Sequence, residues 1–202
     1  MKKQRILLFS VFFLYLSGTN AWAAKGVDCS SIEPPSLSGY VLTRNMVYDD
    51  KRLGVSQTYQ RGSDDMLTYY SFDNGYDSID QEVLDYHLAE AYQDIVHRYS
   101  LEIEKNYELQ DDAQYLNTDT FNELGMQKFV NQGVVVTSIG KDSAESDKKV
   151  EVATVGTDGY CIHKVRWTAY MPLEVQTHEV LGYFADLLDD FYKGLKFKSL
   201  YN

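Results

Sequence analysis

Cysteine, positive charge and long apolar runs are all scarce in this chain of 202 residues. Two cysteines occur, Cys29 and Cys161, so a single intramolecular disulfide is the most that can form. Lys and Arg number 19 against 30 Asp and Glu, a net charge of -11. That balance excludes nucleic acid and an anionic membrane surface as partners, because binding phosphates needs a net supply of basic side chains. The most apolar stretch, Ile6 to Leu16, has 11 residues. A bilayer core of about 30 Å needs roughly 20. No later segment approaches that length, and there is no internal repeat or low-complexity tract.

The start of the chain reads as an export signal. Lys2, Lys3 and Arg5 form a basic opening, the apolar run follows, and Ala21-Trp22-Ala23 places small residues where a signal peptidase inspects them. Residues 1–23 are therefore expected to be cleaved before Ala24. Asp28 ahead of Cys29 excludes lipidation, which needs a small residue there. Two cysteines in an oxidising compartment are expected to pair. Losing the signal removes three positive charges and no negative ones, which takes the net charge from -11 to -14. The expected location is the periplasm or the medium, with no membrane attachment after cleavage.

The organisation expected is an N-terminal arm, residues 24–39, followed by a single α+β domain over 40–202. Pro34-Pro35 and several serines keep the arm out of helix. Three strand-like runs follow: "GYVLTRNMVYDD", "GVSQTYQRG" and "MLTYYSFDNG", with residues 62–65 joining the last two. The period then changes to 3.6, with Leu84, Leu88, Ala91, Ile95 and Tyr99 on one stripe. This predicts a helix from Ile79 to Leu101, extendable through "EIEKNYELQ", and leaves 110–125 irregular. Three more strands are read in "QKFVNQGVVVTSIG", "KKVEVATVG" and "YCIHKVRWTAYM", the last two joined at Thr157-Asp158-Gly159. Thr177 is expected to cap a final helix that runs to Leu195. The fold class is thus α+β: an antiparallel sheet of about six strands, with a long central helix and a C-terminal helix packed on it.

That order of elements, with Gly39-Tyr40, the "SFDNG" strand end and the "GTDGYCIHKVRWTAY" hairpin, resembles the Mog1/PsbP-like group, which includes small exported proteins of the DcrB kind. The resemblance implies an accessory or binding role without catalysis. It carries no functional residue across.

Catalytic templates fail one after another. "SFDNGYDSIDQE" has the look of a calcium loop, but setting Gly75 at the sixth position puts Phe72 at the third and Tyr70 at the first. Asp73-Asn74-Gly75 reads better as a turn, with Ser78 and Gln81 as the capping box of the helix. A different oxygen site built from Asp73, Asp77 and Asp80 is the alternative. His87 with Glu90, and His97 with Asp94, read as pairs on a helix surface. His163 reads as a hydrogen-bonded core residue. His178-Glu179 lacks the second histidine of a zinc protease, "GVSQT" lacks the second glycine of a nucleophile elbow, and "GVVVTSIGKDS" has the wrong spacing for a phosphate loop. No motif calls for a cofactor.

These observations point to an exported, non-catalytic protein that binds another protein, with a basic partner fitting the charge. Its sharpest form is an inhibitor or immunity protein for a secreted toxin. A hydrolase with a carboxylate and histidine site, and a calcium-responsive accessory protein, are the competing readings. Tyrosine is abundant, 17 residues, and Tyr160 and Tyr170 are the expected binding-surface residues.

Overall fold

The computed structural model describes residues 28–101, 107–109, 113–117, 119, 131–140 and 147–197. The expected signal, residues 1–23, lies outside them.

Three strands, β2 (Val41–Val47), β3 (Val55–Arg61) and β4 (Asp65–Phe72), form the expected meander. Helix α1 (Gln81–Ser100) follows. Two short strands come next, β5 (Tyr107–Leu109) and β6 (Gln114–Leu116), then β7 (Gln132–Gly140), β8 (Asp147–Thr157) and β9 (Ile162–Pro172). Helix α2 (Thr177–Gly194) closes the fold. Eight strands make one antiparallel sheet in the order β2-β3-β4-β9-β8-β7-β5, with β6 also paired to β7. The last long strand therefore runs through the middle, between the two groups that sequence reading had separated.

The two helices lie on opposite faces of this sheet. Successive strand residues point to opposite faces, and both sets are apolar in the middle strands. Val150, Val152, Val165, Trp167 and Ala169 pack with Val180, Phe184, Leu188 and Phe191 of α2. Val134, Val136, Ala153, Val155 and Ile162 pack with Leu84, Leu88, Ala91 and Ile95 of α1. Removing a side chain the size of Phe184 or Leu188 from water contributes roughly 1.5–3 kcal/mol each.

Several expectations are corrected. The segment "EIEKNYELQ" does not extend α1 over its described residues, because Tyr107–Leu109 is strand β5, paired to Ser138–Gly140. The tract read as irregular contains β6. The α1 cap is Asp80 and not Ser78: its carboxylate accepts the Val83 N–H at 3.1 Å. The cap of α2 is Gln176 and not Thr177, with the Gln176 N–H donating to Glu179 Oε2 at 2.7 Å. The turn at Asp73 is as expected, with Asn74 and Gly75 both at positive φ, 52° and 76°.

The arm is part of the fold. Ile32–Glu33 is strand β1, paired antiparallel to β10 (Lys196–Phe197), and Ile32 and Leu37 are buried in the α2-side core. Cys29 is disulfide-bonded to Cys161, with Cα atoms 5.8 Å apart and both residues buried. Among the described residues no helix is long and apolar enough to cross a membrane.

Candidate binding site

The end of the arm, the adjoining ends of β3 and β4, the C-terminal half of β9 and the outer edge of α2 enclose a groove of about 550 Å³. Its floor is Trp167, Ala169, Met171 and Leu187. Asp65 organises one wall. It accepts the Tyr40 hydroxyl at 2.6 Å, the Trp167 Nε1–H at 2.8 Å, and Arg61 Nε and Nη2 at 2.9 and 2.5 Å. The Arg61 guanidinium also covers the Tyr40 ring, 4.8 Å from its centroid. Burial, then the bond to Asp65, pushes the Tyr40 hydroxyl pKa well up. Three side chains are thus locked by four hydrogen bonds around one carboxylate whose capacity is filled. On the opposite wall α2 presents Tyr183, Asp186 and Asp190, all exposed. Among the described residues Asp190 accepts only a long contact from the Ser38 N–H, 3.3 Å. The groove is apolar at its base and negative along the α2 rim.

The two tyrosines singled out from sequence are not brought together. Tyr160 is exposed in the β8–β9 loop, while Tyr170 lies near the other end of β9 with its ring 5.7 Å from Tyr107. Ten residues of strand separate them by about 30 Å. Tyr170 does line the groove, and the tyrosines that join it there, Tyr40 and Tyr183, come from the residue after the arm and from α2. No sequence motif marks them, because their meeting depends on the arm lying beside the last helix.

Two of the three alternative calcium residues, Asp73 and Asp80, make other hydrogen bonds. Asp80 caps α1, and Asp73 Oδ1 accepts the Gly75 N–H at 2.8 Å within its own turn. Among the described residues no three His, Cys, Asp or Glu side chains are grouped to hold a metal ion.

His163 is a core residue with no exposed surface. Its Nδ1 is 2.7 Å from the Tyr69 hydroxyl and its Nε2 is 3.4 Å from Asp158. Burial alone would raise the Asp158 pKa. Hydrogen bonding to His163 and to the Cys161 and Tyr160 N–H groups outweighs it and holds the carboxyl at about 2. His87 differs from the surface pair expected. It is buried, 4% exposed, in the core-facing stripe of α1, and its Nδ1 is 2.9 Å from Glu90 Oε2. It lines a separate cavity of about 330 Å³ on the α1 side of the sheet.

No protein-family model matches this chain, and it has no match among curated proteins. The class is therefore defined by architecture alone: an α+β protein with an eight-stranded antiparallel sheet between two helices, and an acid-rimmed groove beside the second.

Proposed function

We propose that this chain is an exported, non-catalytic protein that binds a basic protein partner through the groove beside α2. The observation that carries this reading is the pairing of an apolar floor, Trp167 and Met171, with the exposed acids Asp186 and Asp190 at its edge. An arginine or lysine entering there lays its methylene stem on the floor and its charged head against the acids. Aromatic and arginine anchors in such pockets carry much of the energy at protein interfaces. The net charge of -11, or -14 once the export signal is gone, steers a cationic partner to the surface. An inhibitor or immunity protein that neutralises a secreted toxin in the periplasm fits these properties. The resemblance in element order to the Mog1/PsbP-like group supports the same non-catalytic role.

The test starts from the partner recovered with the mature protein and reads association kinetics. The on-rate should fall as salt rises from about 50 to 500 mM, with little change in the off-rate. Asp186→Lys with Asp190→Lys should slow association and weaken binding at least tenfold. Salt-independent association, or unchanged binding by that double variant, overturns the reading.

One contact favours the hydrolase alternative: the 2.9 Å approach of His87 to Glu90 at the wall of a cavity. Turnover of a glycan, peptide or ester that His87→Ala abolishes in a folded protein would establish it.

A further inference from the structure

The cavity on the α1 side is walled by Tyr48, Tyr70, Phe72 and Tyr86. Three polar groups reach it, His87, Glu90 and Lys164. Counting their hydrogen bonds leaves a specific remainder. Both Glu90 oxygens are engaged, Oε1 by the Tyr86 hydroxyl at 3.1 Å and Oε2 by His87 Nδ1 at 2.9 Å. A carboxylate facing Nδ1 places the imidazole proton there, so Nε2 is left as an acceptor. That Nε2 is buried and has no hydrogen-bond partner among the described residues. Lys164 projects from β9, half-buried, and forms no hydrogen bond or ion pair within 4 Å among the described residues. Burial lowers its pKa, and Asp94 and Glu90 act against that only from a distance.

A half-buried ammonium with no anion in contact and a buried acceptor without a donor are both costly. One ligand removes both costs. We infer that this cavity binds a small ring-shaped hydroxycarboxylic acid, its carboxylate on Lys164, a hydroxyl donated to His87 Nε2, and its ring against the tyrosines. The volume of about 330 Å³ is at the small end for ligand pockets and admits a single six-membered ring with its substituents. One ammonium with no arginine fork beside it suits a carboxylate better than a phosphate. An aromatic hydroxy acid and a uronic acid share this chemistry. The site is on the opposite face of the sheet from the α2 groove and does not rest on the function proposed above.

The purified protein would be titrated with para-hydroxybenzoate and, separately, with glucuronate, following heat and the nitrogen resonances of His87. One of the two should bind and so identify the source, with the His87 Nε2 resonance shifting as it accepts a hydrogen bond. The uncharged counterpart, the methyl ester or glucose, should bind at least tenfold more weakly, and Lys164→Gln should weaken binding by a similar factor. Asp189→Asn, exposed on α2 across the sheet and outside both cavities, should change nothing. If Lys164→Gln fails to fold, the Nε2 resonance of the unaltered protein decides. No binding of either acid up to about 10 mM, equal binding of the uncharged counterpart, or an unmoved Nε2 resonance overturns the inference.

Discussion

Glu151 has no exposed surface, yet it sits in the middle of the sheet on the α1 side. Arg98 of α1 and Arg166 of β9 both bond its Oε1, Arg166 at 3.1 Å, and Lys149 approaches Oε2 at 3.9 Å. The carboxylate ties the helix to two strands at once. Glu151→Ala would leave guanidinium groups near an uncompensated interior and should destabilise the protein by about 3–5 kcal/mol in denaturant titration. Glu151→Gln should cost less, since the amide oxygen still accepts. Asp158 gives a different prediction because its charge can be titrated away. Its folded pKa of about 2 lies below the unfolded value near 4, so its contribution is full above pH 4 and is lost as pH falls towards 2. Asp158→Asn, which keeps the acceptor for the loop N–H groups, should cost about 2 kcal/mol at pH 7. The difference in melting temperature from the unaltered protein should close by pH 2. Neither acid was legible as important from sequence. "KKVEVATVG" reads as a strand with a polar face, and only the placing of α1 over that face turns Glu151 into a core residue. His87 was misread for a related reason. Sorting by polarity puts it outside the stripe of Leu84, Leu88, Ala91 and Ile95, although its spacing puts it inside.

At the scale of elements, period and turn chemistry located the long strands and both helices closely. They failed where an element is short or where its cap is decided by competition. β5 and β6 have three residues each, too few for any alternation to mark a strand, and they exist because β7 offers them an edge. Ser78 and Asp80 are both good caps, and the choice depends on where the chain leaves β4. Gly54 is the clearest local constraint. It precedes β3 at φ +59°, and a Cβ there would lie 1.8 Å from the Ser71 carbonyl oxygen of β4. Gly54→Ala should therefore separate the strands at this corner and cost more than about 2 kcal/mol, read from thermal unfolding. Gly62, also at positive φ but with nothing within 4 Å, should accept alanine at much smaller cost.

For the whole molecule, the expectation of one disulfide from two cysteines was the most reliable inference, because it depended on counting and compartment rather than on contacts. Of the groove beside α2 only Tyr170 was singled out from sequence, since its walls come from residues as far apart as Tyr40 and Asp190. The Cys29–Cys161 bond closes a loop with a separation of 132 residues. On the chain-entropy argument it adds roughly 5 kcal/mol. Cys29→Ser with Cys161→Ser should lower stability by up to that amount, while mass spectrometry of the native protein should find both thiols already oxidised.

The strand order carries a consequence in time. β4 pairs with β9, so Tyr69 meets Val165 across 96 positions of sequence. As the chain emerges from its N-terminal end, the first three strands are finished long before the strand that covers them. Through that interval β4 presents a bare edge carrying Leu67 and Tyr69, residues with no exposure in the finished fold. Such an edge invites pairing with a stranger. The protein is therefore most vulnerable when nearly complete, and a chain that stops short of Ile162 should aggregate rather than fold to a smaller domain.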